Sequence, residues 1–175
     1  MTKGVKDMKN IVLIGMPGAG KSTIGIVLAK RVGFKFVDSD LVIQEKEGKL
    51  LHEIISEVGN DGFIEVENRV NASLDCNESV IATGGSVIYG EDAMRHLKEI
   101  GTVIYLKLSY EEINKRLANL KDRGVVLKEN QTLKDLYNER TVLYERYTDI
   151  TFECDGKSIE QIVTDLSDLL TTLQN

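Results

Sequence analysis

Residues 15–22 read GMPGAGKS, a G-x-x-x-x-G-K-S pattern that needs one local architecture to work. The β-branched run IVLIG (11–15) precedes it. Residues 21–32 follow, with Ile24, Val27, Leu28 and Ala29 at helical spacing before Gly33. The order is strand, loop, helix. Gly15, Gly18 and Gly20 let the backbone fold tightly, so that N–H groups point inward at phosphate oxygens. The start of the helix adds its positive end. Lys21 can reach β- and γ-phosphates, and the Ser22 hydroxyl can ligate Mg²⁺. Ala19 and Thr23 fall within the same cradle. A glycine-rich turn without a ligand is the bland alternative, and the complete motif in its required context outweighs it. The pattern predicts nucleotide binding and leaves the fate of the γ-phosphate open.

The rest of the chain repeats the alternation. Strands are predicted at 34–38, 79–83, 102–108 and 150–154. Helices are predicted at 40–47, 50–58, 62–76, 91–99, from Tyr110, from about 132 to 147, and after Ser158. Ser109 with Glu112, and Ser158 with Gln161, are capping boxes. Residues 121–130 read as a mobile polar loop. Short strands alternating with helices mean βαβ units and a parallel sheet, an α/β fold in which ligands bind beyond the carboxyl ends of the strands. At 175 residues, one domain is expected. A net charge of -6 and no basic stripe exclude a non-specific nucleic-acid binder. No apolar run reaches a membrane span or a signal peptide, so a cytoplasmic location and no membrane partner are expected. Cys76 and Cys154 match no metal or redox spacing and read as reduced thiols.

Candidate chemistry clusters at the predicted strand ends. Asp38 and Asp40 lie in FVDSD. One carboxylate could hold Mg²⁺ through water while the other accepts or orients a hydroxyl proton. The same residues suit helix capping. Gly84 and Gly85, in ATGGS, allow close backbone approach to a ligand, or simply a turn. Arg116, Arg123 and Arg140 are candidate cations for a phosphoryl group, or residues of solvated helix faces. His52 and His96 belong to no constellation and read as surface or packing residues.

With these residues in place, the sequence from about 10 to 165 resembles the shikimate kinase family. The resemblance implies a P-loop three-layer sandwich: a five-stranded parallel sheet of order 2-3-1-4-5 flanked by helices, with a mobile lid. It implies one domain over 1–175, a lid at about 117–130 and acceptor-binding helices at about 40–76. It places ATP on Gly15–Ser22 and Mg²⁺ near Ser22 and Asp38, with Asp40 on the acceptor hydroxyls. Gly84 and Gly85 would contact the acceptor, and Arg140, in RTVLY, would bind its carboxylate. Arg123 would be the lid arginine and Arg116 the adenine-stacking one.

Three departures stand out. The family's G-E-x-x-F-R-x-x-E is matched by GNDGFIEVE (59–67), so its carboxylate-binding Arg is Ile64 here. No Arg occurs from 32 to 68, and Arg69 lies about 140° round a helix from position 64. Losing a charge-assisted hydrogen bond costs about 1.5–3 kcal/mol, roughly 10- to 150-fold in binding. The family's third Gly is Ser86, and its lid Pro is missing from RGVVL.

ATP-dependent phosphorylation of a small polyhydroxy acid, with shikimate first, is therefore expected, from a monomer that uses ATP and Mg²⁺. In-line attack would be served by Lys21, Asp40 and Arg123. The alternatives are the same chemistry on another acceptor and, less favoured, a nucleotide-binding regulator without turnover.

Overall fold

The computed structural model describes residues 10–118 and 127–173. Strand β1 (Asn10–Ile14) is buried along its whole length. It lies in the middle of a five-stranded sheet of order β2-β3-β1-β4-β5. Its neighbours are β3 (Ser79–Ala82) and β4 (Thr102–Lys107), with β2 (Lys35–Asp38) and β5 (Ile150–Glu153) at the edges, all parallel. Burial on both faces explains the unbroken apolar runs: Ile11 to Ile14 and Val103 to Leu106 are at most 1% exposed. The predicted order and strand direction hold.

Helix α1 (Lys21–Val32) connects β1 to β2, and α4 (Glu91–Ile100) connects β3 to β4. These crossovers run in opposite directions from the middle of the sheet, so right-handed connection puts the helices on opposite faces. Helices α5 (Tyr110–Ala118) and α6 (Leu133–Tyr147) follow β4, and α7 (Ile159–Thr172) returns to pack on α1. The strand order reverses at β1, which makes the loop after it the switch-point crevice.

Helices α2 (Ser39–Glu47) and α3 (Leu51–Ala72) extend from β2 before the chain reaches β3. The two helices expected at 50–58 and 62–76 join into α3, but Gly59 breaks the helical path with φ 72° and ψ -179°. A side chain there would be strained, which is why the sequence marks the break with glycine. The helix also stops earlier than expected: Ser73 Oγ donates to the Val70 carbonyl at 2.9 Å and closes its last turn. Val87–Tyr89 forms one 3₁₀ turn after the glycine pair. Among the described residues, no helix is long and apolar enough to cross a membrane.

Candidate active site

Beyond Ile14 the chain turns through Gly15, Gly18 and Gly20, at φ 153°, 80° and 89°. The turn is closed by Ala19 N–H donating to the Met16 carbonyl at 3.1 Å. Gly20 is the residue before α1, with no side-chain cap and no acid in the first turn of the helix. The first N–H groups of α1 are left for an anion. Lys21 folds back over the loop, its Nζ donating to the carbonyls of Gly15 at 2.7 Å and Met16 at 2.8 Å. Burial draws its pKa down to about 8, against the pull of the Asp40 carboxylate. Ser22 and Thr23 stand exposed on the first turn.

Asp38 takes the capping role and also reaches the phosphate loop. Its Oδ1 accepts from Asp40 N–H at 3.0 Å and caps α2, while its Oδ2 accepts from Ser22 Oγ at 3.2 Å. This ties the end of β2 to the phosphate loop. Asp40, in the first turn of α2, is half-buried. Burial, then Asp38, raises its pKa, and Lys21 lowers it.

The glycine pair is needed for room. A Cβ on Gly84 would lie 2.6 Å from Glu67 Oε2 and 3.0 Å from Asp40 Oδ1. One on Gly85 would lie 2.8 Å from Pro17 Cδ and 2.9 Å from Arg140 Nη1. The 84–85 backbone is thus pressed between the phosphate loop, α2, α3 and α6. Arg140 is buried, with its guanidinium 5.5 Å from the centre of the Tyr89 ring and its Nε without a partner among the described residues. One turn along α6, Tyr144 OH donates to the Gly85 carbonyl at 2.6 Å and lies 3.9 Å from Met16 Sδ.

Glu67 is the residue that sequence reasoning passed over. It is 1% exposed, accepts from Ser86 Oγ at 2.6 Å, and leaves Oε2 without a partner among the described residues. Burial pushes its pKa up to about 7. Its signal was an acid on the inward stripe Phe63, Glu67, Val70, Leu74 of a helical repeat. Ile64 is half-buried, Arg69 reaches away to Glu47 at 2.7 Å, and Asn68 accepts from Ala93 N–H at 2.8 Å. No cation replaces the one missing at 64 from this helix.

Of the expected arginines, Arg116 lies over the outer lip of the phosphate loop, donating to the Gly18 carbonyl at 3.1 Å, and pairs with Glu112 at 3.5 Å. Arg123 and most of the lid at 117–130 lie outside the described residues. His96 packs against the Leu74 carbonyl and His52 is exposed, as expected. Lys21, Ser22, Asp38, Asp40, Gly84, Gly85, Arg116 and Arg140 thus surround one crevice at the carboxyl ends of the strands.

Known proteins are similar to this chain in sequence and in fold. The family model for shikimate kinase matches residues 17–171. The shikimate kinase of Persephonella marina is 37% identical over 160 residues, which cover 91% of this chain and 97% of that one. The structure of shikimate kinase from Acinetobacter baumannii in complex with shikimate matches with a TM-score of 0.85 at 32% identity, over 97% of this chain and 96% of that chain. That from Aquifex aeolicus matches with a TM-score of 0.76 at 26% identity, over 94% and 97%. A phosphate loop, a paired-aspartate strand end and a buried arginine on one crevice, together with a match over nine-tenths of the chain, make this protein a member of the shikimate kinase family.

Proposed function

We propose that the protein transfers the γ-phosphoryl group of ATP to a hydroxyl of shikimate, giving shikimate 3-phosphate and ADP. The observation that carries this reading is the position of Gly85, wedged between Pro17 of the phosphate loop and Arg140. It sets one buried guanidinium close beside the phosphate loop. An anionic polyol held there would point its hydroxyls at Asp40.

In the transfer, the acceptor oxygen attacks the γ-phosphorus in line, the bond to the β-phosphate bridging oxygen breaks, and ADP leaves. Asp40 orients the hydroxyl and takes its proton, a role its raised pKa favours. The loop N–H groups, with Gly15, Gly18, Ala19, Gly20 and Thr23, hold the phosphates. Lys21 leaves its two carbonyls to meet the transferring group. Arg116 is assigned to the nucleotide base, and Arg123 to phosphate contact on closure, by the family pattern alone. Gly84, Gly85 and Arg140 receive the acceptor.

The oxygens of Ser22 and Asp38, 3.2 Å apart, fit Mg²⁺, with phosphate oxygens and waters completing the shell. The ion would neutralise charge on the phosphates. Free Cys76 and Cys154 agree with a reducing, cytoplasmic setting.

Ile64 favours a second reading, in which a neutral or differently shaped acceptor uses the same scaffold. ADP release with Mg-ATP and shikimate, beside quinate and neutral polyols, separates the two. Saturable turnover on shikimate is expected. Asp40→Asn should cut transfer by about 10²- to 10⁴-fold while nucleotide affinity survives. Unchanged turnover in that variant removes Asp40 from the chemistry.

A further inference from the structure

Glu67 is the only fully buried carboxylate among the described residues, and it sits where two acids meet one glycine. Its Oε2 and Asp40 Oδ1 both border the space that a Cβ on Gly84 would fill. A buried carboxylate needs donors. On its own helix, a side chain three residues earlier would be its neighbour, and that position holds Ile64. Arg140 faces it without a hydrogen bond to it, and three other nearby donors are engaged elsewhere. Lys21 Nζ is spent on two carbonyls, Asn71 Nδ2 on the Glu67 backbone carbonyl at 2.9 Å, and Asn68 Nδ2 on Asp92 at 3.3 Å. The hydroxyl that does reach it belongs to Ser86, from the loop after β3.

We propose that Ser86 is a positioning residue of the acceptor site: its hydroxyl holds the Glu67 carboxylate behind Gly84, in place of a cation at position 64. The proposal rests on the kinase reading above for its catalytic consequence, and on geometry alone for the Ser86–Glu67 pair. The groups facing Glu67 are Asp40 from α2, Lys21 from α1 and Arg140 from α6. Burial drives the carboxyl toward its neutral form. The Ser86 hydrogen bond opposes this more than Arg140 or Lys21 does, and Asp40 reinforces burial. Ser86 is thus the strongest single influence keeping Glu67 ionised. Ionised, Glu67 offsets the buried guanidinium of Arg140. The Ser86 hydrogen bond also holds the carboxylate against the Gly84 backbone, which receives the acceptor.

The test uses the whole enzyme. The Glu67 carboxyl carbon is followed by NMR against pH in the free protein, its signal identified by its loss in Glu67→Gln. The wild-type midpoint is expected near 7. Ser86→Ala should raise it by about one unit, the size of a hydrogen bond to a charged group. Ser86→Thr, which keeps the hydroxyl, should leave it near the wild-type value. Ile64→Arg in the Ser86→Ala background should bring it back down.

In turnover, the acid limb of kcat/KM for shikimate should move up with that midpoint, roughly a tenfold loss at pH 6, while the KM for ATP stays put. A midpoint unmoved by Ser86→Ala overturns the proposal. So does a moved midpoint with an unmoved kinetic limb, which would leave Ser86 a packing contact. Should Ser86→Ala fail to fold, Ser86→Cys keeps the size with a weak donor and carries the same comparison. Absence of shikimate turnover in the wild type would defeat the functional reading alone, because the free-enzyme titration needs no acceptor.

Discussion

Lys21 and Glu67 are both ionisable, both buried, and both drawn toward neutrality, the lysine down to about 8 and the glutamate up to about 7. Each is a local weakness kept for a purpose. For Glu67 the sign is definite. Its pKa in the folded state lies above the unfolded 4.5, so the folded protein holds a proton that the unfolded chain releases between about pH 4.5 and 7. The associated stability is full below pH 4.5 and is lost as pH rises to 7, by about 3 kcal/mol at most. Glu67→Gln should therefore raise the thermal midpoint at pH 8 by several degrees and change it little at pH 4.5. Calorimetry at the two pH values checks this, and equal shifts would mean that Glu67 does not titrate with folding. The sequence makes Lys21 and Ser22 legible because their motif is contiguous, and Asp38 and Asp40 because they end a strand beside it. Glu67 and Ser86 were not legible as a pair. They are 19 residues apart, and each is of a type usually found in water.

The elements were readable where a local signal marks them. The capping box at Ser158 and Gln161 is present and starts α7, and Ser109 Oγ accepts from Glu112 N–H at 3.3 Å as α5 opens. Where the reason is distant, the boundary shifted. Asn10 joins β1, though a polar residue at a strand start gives no apolar signal. Its side chain donates to the carbonyls of Cys76 and Ile100 and accepts from Ser79 N–H, pinning the starts of β3 and β4 to β1. The loop after β3 shows the same dependence on neighbours. A side chain on Gly85 must displace the phosphate loop or Arg140, at a cost of about 1–3 kcal/mol. Gly85→Ala should raise the KM for the acceptor at least tenfold with a smaller effect on nucleotide affinity. Steady-state kinetics with each substrate varied separately measures it, and an unchanged acceptor KM would mean the loop yields freely.

Two hydrophobic clusters of unequal size build the molecule. The large one fills both faces of the sheet, while Ile43, Ile54 and Val70 form a small one between α2 and α3. Helices α2 and α3 thus rest on three buried side chains, packed by Val42, Leu51, Phe63 and Val66. Ile54→Ala should lower stability by about 2–5 kcal/mol. It should also speed hydrogen exchange in α2 and α3 far more than in β1 and β4. Uniform acceleration would mean that the two clusters unfold as one. The sheet's parallel character was legible from the alternation of elements, but its strand order was not. Periodicity says what a strand buries and is silent on which strand lies beside it, so the order came from family resemblance.

Tyr144 touches both the phosphate loop and the loop after β3: its hydroxyl holds the Gly85 carbonyl and lies against Met16. One side chain therefore reports the state of each loop to the other. Coupling between two binding events is reciprocal by thermodynamic necessity. Whatever factor the nucleotide applies to the acceptor's affinity through this contact, the acceptor returns to the nucleotide. The two substrates thus assist or hinder one another equally, in whichever order they arrive.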